Sequence, residues 1–244
     1  MESSQVMNAY ADHIGKILEK FRQTQGDALD QAADRIVEAF LAKKRFLVIG
    51  SGHSHMIAEE FYARAGGLAF CTPMLQNELS LTDHPLKSTL IERTLDMASV
   101  YLELYHVEAG DVLLIVSNSG RNAMPVEMAK LAKAKGLTVM VMVNVAQTKN
   151  ISSRHPDGKN LDAYADVLID NCGSYGDAGF DVGEGMNMGS SSTIVGALAA
   201  QTISILVALK LKEKGLELPV FRSSNLDGAD DYNKALFARF CKSY

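Results

Sequence analysis

Three stretches of this sequence gather serine, asparagine and glycine where an anion could be held: Gly50-Ser51-Gly52-His53-Ser54-His55, Ser117-Asn118-Ser119-Gly120-Arg121-Asn122 and Ser190-Ser191-Ser192-Thr193. Glycine lets backbone amides approach an oxyanion, serine hydroxyls donate without bulk, and a helix start behind each loop adds partial positive charge. The chemistry favoured is phosphate binding. Ser54, Asn122 and Ser190 would also serve as plain helix caps. For one loop that plainer reading is the stronger, but three such loops at strand ends reverse the balance.

Groups that move protons lie close by in the sequence. Counting about 100° per residue from Ile57 puts Glu60 beside the apolar stripe of the helix that follows the first loop and Glu59 on its far side. Glu60 is therefore the leading candidate base, with an ion pair to Arg64, four residues on, as the structural alternative. Glu78 is a second carboxylate candidate, or simply a solvated loop residue. His53 and His55 flank Ser54, and either could serve as acid or base near its ordinary pKa, with His55 the candidate catalytic imidazole. A His-x-His pair can hold a metal, yet no third ligand follows at readable spacing, so no metal is expected. His155, with Arg154 and Lys159, would give a cationic rim or only a solvated basic loop. Asp177 and Asp181 would contact sugar hydroxyls or shape their glycine-rich loop.

Nucleotide motifs fail on inspection. The first loop lacks the third glycine of G-x-G-x-x-G, the second strand ends at Thr72-Pro73 without a ribose-binding acid, and no G-x-x-x-x-G-K-[ST] occurs. No cofactor site is legible.

These loops must be held by strands and helices. Apolar runs at 45–49, 68–73, 111–116, 137–143 and 165–169 read as strands buried on both faces. Helical spacing marks two opening helices before residue 44, then segments over 54–64, 86–105, 125–135, one from about 190 to 211, and one over 231–240. Alternation of such strands with helices implies a doubly wound, three-layer α/β fold with a parallel sheet. Residues 171–189 carry many glycines and aspartates with no clear period and read as a loop.

With 24 Lys and Arg against 29 Asp and Glu, the net charge of −5 argues against a nucleic-acid partner. Two long opening helices without a basic recognition face point the same way. The apolar segment 194–211 carries Gln201, Thr202 and Ser204 in its middle, so it is expected as a buried helix and no membrane partner is expected. Three widely spaced cysteines, Cys71, Cys172 and Cys241, give no disulfide framework, and a reducing, cytoplasmic setting is the simplest.

The residues resemble the sugar isomerase, or SIS, domain family. Ser117-Asn118-Ser119-Gly120-Arg121-Asn122 is similar to its S-x-S-G-x-[TN] phosphate loop, and Gly50 to His55 is similar to the G-N-G-G-S-H of bacterial phosphoheptose isomerases. The likeness runs from about 45 to 214 and is extended by the segment from Ser192 to Leu198, Gly176-Asp177-Ala178 and Asn225-x-Asp227-Gly228. It implies a five-stranded sheet in flavodoxin-like order. The division expected is a helical arm over 1–44, a phosphosugar-binding domain over 45–218 and a tail helix within 219–244.

The implied ligand is a phosphorylated sugar or amino sugar, held by Ser51, Gly52, His53, Ser54, Ser117, Asn118, Ser119, Gly120, Asn122, Ser191, Ser192 and Thr193. The implied assembly is a homodimer or homotetramer, with the opening helices against a neighbour. Aligned from Ser54, however, Glu60 stands where phosphoheptose isomerases carry a histidine, and Arg64 where they carry the catalytic glutamate. That mechanism therefore does not transfer residue for residue. The function expected is an aldose–ketose isomerase acting by proton transfer beside the carbonyl. A lyase or etherase, or a non-catalytic phosphosugar-binding or adaptor protein, are the alternatives.

Overall fold

A strand that is apolar on both faces has to be covered on both, and central strands of that kind make this molecule three layers deep, while the last strand of the sheet leaves Leu168 exposed. The computed structural model describes residues 2–241. Met1 of the expected arm and residues 242–244 of the expected tail lie outside them. In chain order the elements are α1 (Ser3–Thr24), α2 (Gly26–Leu41), β1 (Phe46–Gly50), α3 (Met56–Phe61), β2 (Cys71–Pro73), α4 (Pro85–Ile91), α5 (Met97–Leu104) and β3 (Val112–Val116). There follow α6 (Ala123–Ala134), β4 (Thr138–Val143), α7 (Val145–Thr148), β5 (Val167–Asp170), β6 (Ala178–Gly183), β7 (Met186–Ser190), α8 (Ser192–Glu213) and α9 (Ala229–Phe240).

Strands β1 to β5 form one parallel sheet in the order β2-β1-β3-β4-β5. Alternate residues feed two cores. Phe46, Val48, Leu114, Met140 and Ile169 face α1, α2, α3 and α8, whereas Leu47, Ile49, Leu113, Ile115 and Val141 face α5 and α6. The opening helices share the first core through Ile17, Phe21, Leu29 and Ile36. Helix α8 is long and apolar enough to span a bilayer. Here it lays Val195, Ala199, Ile203, Val207 and Leu211, all fully buried, against the sheet layer.

Two departures from the sequence reading bear on the site. The helical pattern over 86–105 is broken into α4 and α5, and Glu92 falls in the break, its carbonyl accepting from Met124 N at 3.0 Å. The expected loop at 171–189 contains the antiparallel hairpin β6–β7, turned at Gly183-Glu184-Gly185 with φ of 97°, 55° and 73°. The hairpin leans on α1: Tyr10 donates to the Ser190 carbonyl at 3.1 Å, and its ring meets Phe180 edge-on with centroids 6.1 Å apart.

Candidate functional site

The sheet order reverses between β1 and β3, the position where α/β sheets open a crevice at the carboxyl ends of their strands. Gly50 pairs with Val116 in register, so Ser51 and Ser117 leave the sheet side by side. The first loop then turns tightly through the 3-10 turn Gly52–His55 into α3. That turn requires glycine behind it: a Cβ on Gly50 would collide with the Ser54 carbonyl. In the second loop Gly120 has φ +62°, a left-handed conformation that side chains resist, and its amide donates to Ser117 Oγ at 3.3 Å.

The result is one shallow cleft lined by His53, Ser54, Asn118, Asn171, Ser192 and Thr193 over a floor of Ile57, Val116 and Met142. Loops distant in sequence therefore meet around one space. Asn118 is fixed by Asn171, whose Nδ2 donates to its Oδ1 at 2.7 Å. Ser117 and Ser119 are not among the lining residues; the hydroxyls of Ser54, in the cleft, and of Ser119, beside Asn118, have no partner among the described residues, which leaves both available to an incoming acceptor.

The third serine run is placed differently. Asp177 accepts from Ser190 Oγ at 2.7 Å, Ser192 Oγ at 2.7 Å, Ser191 N at 3.0 Å and Ser192 N at 2.7 Å. Ser191 is fully buried. Burial works against the charge on Asp177, but the hydroxyls of Ser190 and Ser192 and the two amides outweigh it and hold its carboxyl below the usual range. This helix end is thus neutralised from within the chain, and Thr193 is its open contribution to the cleft. Gly52 opens the 3-10 turn, and His53 stands exposed at the rim.

The expected acid–base residues do not gather in this cleft. Glu60 pairs with Arg64 and accepts from Gln201 Nε2 at 2.9 Å, the structural alternative foreseen from their spacing. His55 turns its Nδ1 to the Gly52 carbonyl and its Nε2 to Glu59 at 3.7 Å, so both of its ring nitrogens face partners outside the cleft lining. Glu78 is exposed on a 3-10 turn. His155 is buried between Glu127 and Asp157, each at 2.7 Å, which makes it part of the framework rather than a rim. Asp181 accepts from Gly183 N at 2.8 Å inside the hairpin.

A carboxylate that sequence reasoning missed stands at the crevice. Ser51 Oγ donates to Glu92, and burial raises the Glu92 carboxyl above its usual range, with Ser51, Arg93 and Arg154 pulling partly against it. Asn122, buried at the start of α6, accepts from Arg154 at 2.6 Å, and Arg154 N donates to the Arg121 carbonyl at 2.8 Å. The one sequence signal for Glu92 was its place in an acid–base pair, Glu92-Arg93, inside an apolar helical run. Helical spacing alone does not separate such a pair from a solvated one.

A model of the SIS domain matches residues 9–144, more than half of the chain. UPF0309 protein BH3325 of Halalkalibacterium halodurans is 43% identical over 96% of this chain and 97% of its own length. This chain belongs to the SIS domain family. Among solved structures, the phosphoheptose isomerase GmhA from Neisseria gonorrhoeae superposes with a TM-score of 0.58 at 16% identity, covering 84% of this SIS-domain chain and 98% of its own. The Vibrio vulnificus NanR protein complexed with ManNAc-6P gives a TM-score of 0.53 at 13% identity, over 97% of this chain and 70% of that one. At these identities the likeness establishes the fold. The sheet order 2-1-3-4-5 and its flanking helices are the SIS architecture.

Proposed function

We propose that this SIS-domain protein binds a phosphorylated sugar or amino sugar at the switch-point crevice and interconverts its aldose and ketose forms. The observation that carries this is the meeting of the β1 and β3 loops around one cleft lined by Ser54 and Asn118, with the hydroxyls of Ser54 and of Ser119, the residue after Asn118, unpartnered among the described residues. The phosphate is held by Ser54, Ser117, Ser119 and Asn118, with Thr193 also lining the cleft. The fold neighbours named for phosphoheptose and for ManNAc-6P are in keeping with such a ligand.

In the reaction Glu92 removes the proton from the carbon beside the carbonyl, and the carbonyl oxygen gains a proton to give an enediol. Glu92 then returns its proton to the former carbonyl carbon while the neighbouring hydroxyl loses one, so no oxidant or reductant is needed. His53, exposed at the rim, is the imidazole placed to carry the oxygen-bound proton. Glu92 replaces Glu60 in the role of base because Glu60 is held by Arg64 and Gln201, whereas Glu92 adjoins Ser51 of the first loop.

A panel of phosphorylated hexoses, heptoses and amino sugars incubated in deuterated water and followed by NMR tests this. Loss of the C2 proton signal with appearance of the ketose is expected in wild type and in Glu60→Gln, and neither in Glu92→Gln. A second reading, binding without turnover, is favoured by the absence of Glu60, Glu78 and Glu92 alike from the cleft lining. Tight binding with no exchange in wild type would establish it.

Two copies of the chain are proposed to join along α8. Ile194, Leu198, Ile205 and Leu209 are 38%, 41%, 59% and 50% exposed, and at about 100° per residue they fall on one face of the helix. On α1 and α2 the exposed large apolar residues are Val6, Met7 and Leu41, so α8 presents the broader apolar face.

A further inference from the structure

We propose that Arg93, Arg121 and Arg154 form an anion-binding subsite flanking the crevice on its α4–α6 side, and that it takes a second acidic group, a carboxylate or a second phosphate, on the phosphorylated sugar. This rests on the phosphosugar reading above and narrows its substrate class.

The subsite is separate from the hydroxyl cleft. Ser54, Asn118 and Thr193 open on the α3–α8 side of the loop tips, whereas Ser51 adjoins Met124, Pro125 and Met128 of α6 on the other. Glu92 and the arginines belong to this second side. Arg154 is anchored to Asn122 and to the Arg121 carbonyl, and Met124 N to the Glu92 carbonyl, so the end of α4, the start of α6 and the loop after β4 are tied together there.

The positive charge in this cluster is not consumed by the protein. Arg22, Arg35, Arg45, Arg64 and Arg239 each hold a carboxylate in an ion pair. Arg93, Arg121 and Arg154 hold none among the described residues. Arg154 spends its hydrogen bond on a neutral amide, and Arg121 Nε is buried with no partner among the described residues. A buried donor without an acceptor is costly, and this guanidinium's other contact among the described residues is with a neutral hydroxyl, Nη2 donating to Ser152 Oγ at 3.5 Å. The guanidinium groups are also close enough to act on one another: burial, and then Arg121 and Arg93, push Arg154 below its usual range, with Glu92 the carboxylate that opposes this. One carboxylate against three guanidinium groups leaves two charges to be met from outside, in a chain whose net charge is −5.

The start of α6 cannot supply the binding itself. Its Met124 amide is occupied by the Glu92 carbonyl, and Pro125 has no amide hydrogen. Recognition therefore falls to guanidinium forks, which suit the paired oxygens of carboxylate and phosphate.

Calorimetric titration of the full chain with glucose 6-phosphate, 6-phosphogluconate and fructose 1,6-bisphosphate tests this in wild type, Arg93→Gln, Arg154→Gln and Ser119→Ala. Arg93 and Arg154 are exposed, so the substitutions leave the core untouched. At least one doubly acidic ligand is expected to bind about tenfold more tightly than glucose 6-phosphate, the worth of one charge-assisted hydrogen bond. Which one gains tells carboxylate from phosphate. Either arginine variant should erase the difference, while Ser119→Ala weakens all three ligands alike.

Equal binding of the three ligands to wild type would overturn the subsite. So would an equal loss for all three in Arg154→Gln, which would put the single phosphate on the arginines. If no sugar phosphate binds wild type, the phosphosugar reading fails, and inorganic phosphate alone then decides the subsite. Binding to wild type but not to Arg154→Gln keeps it as an anion site, and no difference between them removes it.

Discussion

The hydroxyl of Ser51, the first residue beyond β1, donates to the carboxylate of Glu92, forty-one residues away in the break between α4 and α5. The contact sets a proton acceptor against the loop that lines the candidate phosphate cleft. Burial holds the Glu92 carboxyl above its usual range. The folded protein therefore binds that proton more tightly than the unfolded chain does. Stability from this group is whole below the unfolded value and is lost as pH rises through the folded one. Glu92→Gln, uncharged throughout, is expected to show a higher Tm than wild type near neutral pH, with the gap closing by about pH 4. Its turnover should fall by about a hundredfold or more, the usual loss of a general base. A lower Tm at neutral pH would mean that Arg93 and Arg154 outweigh burial.

Asp177 gives the opposite sign. Its hydrogen bonds from Ser190, Ser191 and Ser192 hold it below the usual carboxylate range despite burial. The stability it contributes is present above the unfolded value and is lost as pH falls through the folded one. Asp177 has φ +73°, a conformation asparagine tolerates, so Asp177→Asn isolates the charge. It is expected to cost about 1 kcal/mol near neutral pH, as lost helix caps do, and progressively less in acid. Thermal unfolding across that range checks it, and a pH-independent deficit would contradict it.

Much of this arrangement could be read from residue order alone, for reasons particular elements make plain. The runs at Leu47-Val48-Ile49 and Leu113-Leu114-Ile115 announced strands because both sheet faces are buried, so neither face carries polar residues. The hydroxyl loops were legible because glycine and serine cluster where those strands end. Residues 178–190 gave no strand signal because the hairpin is exposed and rich in glycine, and its partner is Tyr10 of α1, which local spacing cannot reveal. The Glu60–Arg64 pair was visible as an alternative four residues apart. The role of Glu92 was not, because it depends on a meeting with Ser51 that only the sheet order creates. The serines at the start of α8 looked free in sequence, since nothing local marks Asp177 as their acceptor.

The apolar face of α8 makes a further expectation concrete. Sedimentation of the wild type should give a dimer or tetramer, and Ile205→Glu combined with Leu209→Glu should give a folded monomer, since two buried charges cannot be accommodated in such a contact. Both residues are half-exposed in the single chain, so its own core is spared. A monomeric wild type would remove the interface.

The phosphate cleft itself is tested most directly by titrating one sugar phosphate, glucose 6-phosphate, into wild type, Ser54→Ala and Ser119→Ala, with Ser190→Ala as the control. Ser54 and Ser119 have no hydroxyl partner among the described residues, so both variants should keep wild-type stability to within about 0.5 kcal/mol and each should bind about tenfold more weakly. Ser190→Ala, whose hydroxyl is engaged by Asp177, should bind as wild type does. Undiminished affinity in Ser54→Ala and Ser119→Ala would contradict the cleft as the seat of the phosphate.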